Sequence, residues 1–279
     1  MARVRVITDS ACDIPEEDAR RLDIDIVSLS IRFGDDEFTD RVDLTPNQFW
    51  ARCKASKTLP ETAAPSPGAF QAAYERAKAD GCDGVLVLTL SALLSATHQS
   101  AVIARDAVGD VIPVRVIDTK AVSMAQGLLA IDVAEFALTG ADLDELVERA
   151  EALVPKVGVV AMLDTLEHLI KGGRVGGARA LLGQVLSIKP LLELKDGVVA
   201  EAGRQRTRAK ALVAIADVAR SHTPLRRIAL VHGASSEVKA LEALVAQIAA
   251  DFPLIITDMG PVVGTHGGPG IIAICWVEA

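Results

Sequence analysis

The chain has 279 residues, of which 50% are hydrophobic and only 3% aromatic, and its formal net charge is −8. That length allows one large or two medium domains, and apolar content dominated by Ala, Val, Leu and Ile suits helix-and-sheet layers better than a β-sandwich. The negative charge argues against a broad nucleic-acid footprint, so no nucleic-acid partner is expected, and Cys12, Cys53, Cys82 and Cys275 form neither a CxxC pair nor a Cys/His cluster that would signal a metal site.

Isolated cysteines suit a reducing compartment. No segment has the apolar length of a membrane helix or the pattern of a signal peptide, so a soluble cytoplasmic protein is expected. In chain order, a strand is predicted over residues 4–8, a helix over 15–22 and a strand over 26–33. Helices follow over 46–54 and 67–79, a strand over 84–88, a helix over 94–107, a strand over 114–117, and helices over 123–137 and 142–153. Thr45 before Pro46, Ser66 before Pro67, and Asp142 are good N-caps. A fresh strand begins at 157–162, near Pro155, which places a domain boundary there: 1–153 and 154–279. The second half continues with strands over 190–194 and 198–201 and a helix over 208–221. A strand over 228–232, a helix over 236–250 and strands over 254–257 and 271–276 complete it. Asp196-Gly197 marks a hairpin turn between the first two of these strands. The alternation gives an α/β class, and runs that are apolar throughout suit a sheet covered on both faces.

Several loops carry polar groups where α/β sheets bind ligands, beyond the carboxyl ends of strands. Asp9 and Ser10 end the first strand, where they either cap a turn or meet a ligand. Ser66 is explained as a cap, but Thr62 in the same segment is not, and its hydroxyl can donate to a ligand oxygen. Ser91, Ser95 and Thr97 put three hydroxyls before a helix whose free N–H groups would favour an anion. Arg174 lies between glycine pairs in Gly172-Gly173-Arg174-Val175-Gly176-Gly177, which is neither a phosphate-binding Walker loop nor a dinucleotide fingerprint. It serves either a mobile surface loop or a bidentate contact to a carboxylate or phosphate. Arg204, Arg206 and Arg208 crowd a helix start, against the helix dipole. His266 stands in a segment rich in glycine and proline, Thr265-His266-Gly267-Gly268-Pro269-Gly270, before the last apolar strand, and Gly268 would allow close backbone approach. These donors suit a small anionic ligand, and no Ser-His-Asp order or Gly-x-Ser-x-Gly motif is present.

In order along nearly the whole chain, Thr8-Asp9-Ser10, Thr62 with Pro65-Ser66-Pro67-Gly68, and Leu90-Ser91 with Leu94-Ser95-Ala96-Thr97 resemble the DegV family. So do Asp118-Thr119 with Ser123 and Gln126-Gly127, Gly172-Gly173-Arg174, Arg206-Thr207-Arg208, and Gly264-Thr265-His266 with Gly268-Pro269-Gly270. The resemblance implies two α/β domains with a long-chain fatty acid in an apolar tunnel between and within them. It further implies that the bound acid, with no other cofactor, is presented to a separate ATP-binding fatty acid kinase subunit that makes an acyl phosphate for phospholipid synthesis. The chain itself would not be an enzyme, and transient membrane contact fits the same role. By this resemblance Thr62, Ser95 and His266 match head-group ligands, and Arg174 and Arg206 match basic positions near the head group or the kinase contact. Ala63, Ala64, Ala92, Ala96 and His98 depart from the usual residues and imply a thinner head-group network. Two other readings stand beside this one. The first is a small-molecule kinase subunit for a keto compound or sugar, with His266 as nucleophile or base. The second is a regulatory or scaffold protein docking through Arg204, Arg206 and Arg208.

Overall fold

The first strand, β1 (Val4–Asp9), is buried at every residue, as an apolar run covered on both faces should be. The computed structural model describes residues 2–56, 58–181, 188–250 and 252–279. After β1, a 3-10 turn over Ser10–Cys12 leads to α1 (Glu16–Arg21) and β2 (Ile24–Val27). The strand predicted over 26–33 is in fact two strands in different sheets. β2 pairs with β1, whereas β3 (Ser30–Phe33) joins β4 (Asp36–Thr39) and β5 (Glu61–Ala63) in a small antiparallel sheet. The break falls at Leu29, whose N–H donates to the Ser10 hydroxyl at 3.0 Å. β4 and β5 lie outside the predicted strands because such short, polar stretches carry no apolar alternation.

Thr45 and Ser66 cap α2 (Pro46–Ala55) and α3 (Pro67–Ala79), each accepting a backbone N–H in the first turn with proline at its start. After β6 (Gly84–Thr89), the N–H groups of Leu94 and Ser95 close a turn on the Ser91 carbonyl, which delays α4 (Thr97–Val108) beyond the predicted start. β7 (Val114–Asp118) completes a parallel sheet of order β2-β1-β6-β7.

The next helix, α5 (Met124–Ala137), is buried from Met124 to Ala134, as a helix apolar on all sides requires. A capping box of Asp142 and Glu145 starts α6 (Leu143–Leu153). The second half runs β8 (Val157–Met162), α7 (Glu167–Lys171), β9 (Lys189–Lys195), β10 (Val198–Gln205), α8 (Arg208–Ser221) and β11 (Leu225–His232). It ends with α9 (Val238–Val245), β12 (Leu254–Asp258), α10 (Pro261–Gly267) and β13 (Ile272–Glu278). These strands form a mixed six-stranded sheet of order β10-β9-β8-β13-β11-β12, with β11 and β12 parallel and the other pairs antiparallel. Asp196 and Gly197 both have positive φ, 51° and 82°, as a tight hairpin turn of the primed type demands.

α5 lies between the two larger sheets, packing on β1 and on β8, β11 and β13. The apolar core around it joins Val6, Leu128 and Cys275, so both sheets share it. The fold is therefore α/β with one parallel sheet, one mixed sheet and one small antiparallel sheet among the described residues. No helix among the described residues is long and apolar enough to cross a membrane.

Candidate ligand-binding site

A cavity of about 890 Å³, counting the space at its mouth, lies between the loops at the carboxyl end of the parallel sheet and the inner face of the mixed sheet. Leu90, Leu94 and Val122 wall it from the first half, and Val159, Ala161, Leu163, Leu192, Val262, Ile271 and Ala273 from the second. Thr62, Ser95, Arg174 and His266 also line it, with Ser123 and Glu193 at its border. Thr62, Arg174 and His266 belong equally to an outer, polar groove that adds Glu61, His168 and Lys171. These shared residues therefore form a junction between an apolar interior and a polar exterior.

The expected loop around His266 is instead the last turn of α10, closed by Gly268 at φ 77°. Sequence propensity hides this helix because glycine occupies two of its seven positions, and tertiary packing sustains it. Gly264 lies so close to Phe49 and Trp50 that an added Cβ would come within 3.0 Å of both rings. Thr62 likewise stands on the edge strand β5, opposite Ile31, and not in a loop. Thr62 Oγ1 and His266 Nε2 are 3.0 Å apart. His266 Nδ1 is buried without a hydrogen-bond partner and faces Gly172, where an added Cβ would come within 2.3 Å of it. An orphaned N–H is rarer and costlier than an orphaned lone pair, so the proton is assigned to Nε2. Nε2–H then donates to Thr62, and the Thr62 hydroxyl hydrogen is left to point at a ligand.

Burial, then the nearby Arg174 and His168, pushes the His266 pKa down from 6.5 to about 4. The imidazole is therefore neutral at neutral pH, and positive charge at this end of the cavity is carried by Arg174. Its guanidinium donates to the Leu94 carbonyl at 3.1 Å and the Gly172 carbonyl at 2.6 Å. Five N–H donors let one guanidinium hold both carbonyls and a ligand oxygen. Ser95 Oγ lies 2.8 Å from Thr97 Oγ1 and accepts from the Thr97 N–H. Ser95 thus faces the cavity, while the fully buried Thr97 supports it from behind.

The other predicted residues lie outside the cavity lining. Asp9 is buried and accepts from the Ala11 and Leu90 N–H groups and from Gln126, so it braces the loop after β6. Burial pushes its pKa up to about 6. Ser10 holds Leu29, as noted above. Ser91 donates to the Gly197 carbonyl at 2.7 Å and clasps the β9–β10 turn against the first half. Gly268 packs on His168, and an added Cβ would lie 2.8 Å from that ring. Arg206 is an exposed surface residue. Its neighbour Arg208 pairs with Asp164 and Glu237 and donates to the Gly270 carbonyl, so the crowded charges at this helix start are partly neutralised by structure.

Two supporting contacts were not foreseen from the sequence, although Ser123 is among the residues that carry the resemblance. His168 Nδ1 donates to the Thr265 carbonyl at 3.0 Å and buttresses α10. Asp13 and Ser123 meet under the cavity at 2.5 Å. Neither has a spacing signal, because their partners are 97 and 110 residues away. Among the described residues, no group of three or more His, Cys, Asp or Glu side chains is arranged to hold a metal ion.

Fold and site together define an α/β protein with an apolar chamber that carries hydroxyl, imidazole and guanidinium groups at one end. The chain belongs to the DegV family: the family model described as "Uncharacterised protein, DegV family" matches residues 3–279. It is 31% identical over 280 residues to a DegV domain-containing protein of Listeria monocytogenes, covering 98% of each chain. Its fold superposes on a DegV family protein from Thermus thermophilus, described by its fatty acid binding, with a TM-score of 0.90 and 31% identity over 99% of this chain and 100% of the other. DegV from Bacillus subtilis, described as a fatty acid binding protein, gives a TM-score of 0.86 at 29% identity, covering 99% of each chain.

Proposed function

We propose that this protein binds a long-chain fatty acid, with the acyl chain in the apolar cavity and the carboxylate against Thr62, Ser95, Arg174 and His266. The observation that carries this reading is the junction described above, where one polar cluster belongs both to the apolar chamber and to an open groove. The cavity wall is predominantly apolar, and burying each methylene contributes about 0.8 kcal/mol. A carboxylate entering this chamber needs charged or hydrogen-bonding partners to offset its desolvation, and the polar end supplies both. The related DegV proteins described as fatty acid binding support the same ligand class.

The finer proposal is that the bound carboxylate, reachable from the outer groove, is handed to a separate ATP-binding kinase subunit that makes an acyl phosphate. The halves 1–153 and 154–279 act as the two domains that enclose the chain. Cytoplasmic residence and transient membrane contact during lipid exchange belong to this proposal. The protein has no catalytic role of its own in it. Head-group recognition is tested by titrating delipidated protein with palmitate and with hexadecanol. Palmitate should bind about tenfold or more tighter, and equal affinity would remove the carboxylate from the account. For the transfer step, loaded protein with Mg-ATP alone should yield no hydroxylamine-trappable acyl phosphate. Addition of an ATP-binding kinase subunit should produce it, and product without that subunit would favour an enzyme.

A further inference from the structure

The helix that carries His266 has no cap of its own. Its N-cap is Gly260, which has no side chain to offer. The acceptor comes from the opposite end of the chain: the Gly260 N–H donates to Asp13 Oδ1 at 2.9 Å, across 247 residues. Asp13 thereby takes the place of a capping-box carboxylate. Its second oxygen accepts from Ser123 Oγ at 2.5 Å, and Ser123 both opens α5 and borders the cavity. The Thr257 hydroxyl donates to the Asp13 main-chain carbonyl at 3.3 Å. Asp13 is therefore tied at once to the end of β12, the start of α10 and the start of α5.

The fit is tight. A Cβ on Gly260 would lie 2.8 Å from Asp13 Oδ1. Asp13 and Ser123 both hold left-handed backbone, at φ 54° and 58°, which costs energy for residues other than glycine. At about 1.5 Å per residue, His266 lies roughly 9 Å along the axis from Gly260, so the anchoring of Gly260 bears on where the helix presents His266. Thr62, the partner of His266, is held separately by the pairing of β5 with β3, so the Thr62–His266 contact depends on where α10 sits against that sheet.

We propose that Asp13 is a positioning residue for head-group recognition: by bridging Ser123 and Gly260 it sets where α10 places His266 against Thr62. This rests on the fatty-acid reading of the cavity. Asn at position 13 would keep the acceptor for Gly260, and its amide could donate to a rotated Ser123 hydroxyl, so the bridge survives without charge. Ala would remove it.

The test follows the His266 ring resonances of protein labelled at histidine with ¹⁵N, assigned through His266→Gln. The variants are Asp13→Ala, Asp13→Asn and Asp132→Asn, each titrated with palmitate. Asp132 lies in a separate ion cluster with Arg149, Arg226 and Arg227, so its replacement controls for lost stability alone. Asp13→Ala should move the His266 Nε2 resonance and weaken palmitate binding about tenfold. Asp13→Asn should keep both near wild type, and Asp132→Asn should lower the Tm without moving the resonance. If Asp13→Ala does not fold, Ser123→Ala and Gly260→Ala replace it and should move the resonance in its stead. An unmoved His266 in the bridge-breaking variants would overturn the proposal. So would equal effects of Asn and Ala, or a shift of the same size in Asp132→Asn. If wild-type protein takes up no palmitate, the functional reading fails, while the ring resonances still decide the positioning role.

Discussion

At the polar end of the cavity, the chemistry is set by what His266 lacks. Its Nδ1 has no partner and is pressed against Gly172, so Nε2 carries the proton and the Thr62 hydroxyl turns outward. Gly172 has ordinary helical backbone, and its substitution by Ala therefore tests sterics alone. Gly172→Ala should displace the imidazole and weaken fatty-acid binding about tenfold while leaving the thermal midpoint within a few degrees. Calorimetric titration beside a melting curve would show this, and wild-type affinity would refute the packing argument. Asp40 is a second telling residue. It is fully buried, and neither oxygen has a hydrogen bond, although Ser10 and Arg41 lie close enough to lower its pKa in part. Burial pushes Asp9 and Asp40 up to about 6 and Asp13 to about 7, from 3.8. Between pH 4 and 7 the unfolded chain therefore releases these protons first, so their contribution to stability is full on the acid side and is lost as pH rises. His266, with its pKa lowered, works in the opposite direction, and its contribution grows as pH rises from about 4 to 6.5. Asp40→Asn should accordingly stabilise the protein by roughly 1–3 kcal/mol at pH 8 and by much less at pH 4.5. Urea unfolding at the two pH values measures this, and an equal effect at both would contradict it. The loop patterns put Thr62, Arg174 and His266 forward among a wider set of candidates and left Ser95 level with Ser91 and Thr97, while the match of Thr62, Ser95 and His266 to a head group came from the family resemblance. Asp13 and His168 stayed hidden because their partners are 110 and 97 residues away in sequence.

Among the elements, the predicted strands and capped helices follow from apolar runs and from Thr45, Ser66 and Asp142, whose side chains fix helix starts locally. Elements that depend on tertiary contacts were not legible. β2 and β3 read as one run until Ser10 captures the Leu29 N–H, and α10 reads as a loop until Trp50 and Phe49 pack on Gly264. The Asp196-Gly197 hairpin was legible, but its second role was not: its tip is clasped by Ser91 beside the cavity. At Gly197, φ is 82° and an added Cβ would come within 2.6 Å of Ser91 Oγ. Gly197→Ala should therefore cost about 1–3 kcal/mol, from backbone strain together with loss of the clasp. Chemical denaturation would measure the loss. In a Ser91→Ala background the cost should shrink toward the backbone part alone, and an unchanged cost would show that the clasp is not part of it.

Across the whole molecule, α5 joins two sheets through one shared core, and Asp132 on that helix gathers Arg149 from α6 with Arg226 and Arg227 from β11. These three arginines hold the Asp132 carboxyl below its usual range despite its burial. Asp132→Asn should cost about 2–4 kcal/mol, below the loss for fully buried pairs because the arginines reach solvent, and should leave ligand affinity near wild type. A variant as stable as wild type would show that the cluster does not hold the halves together. The proposed occupant of the cavity between the two sheets is a long-chain fatty acid. The most direct measurement is to purify the protein, denature it, extract it with organic solvent and identify the released molecules by mass spectrometry. A long-chain fatty acid at close to one per chain is the predicted result, falling sharply in a variant with Ala273→Trp in the cavity wall. A protein that releases no fatty acid, and takes up none when palmitate is added, would contradict the account.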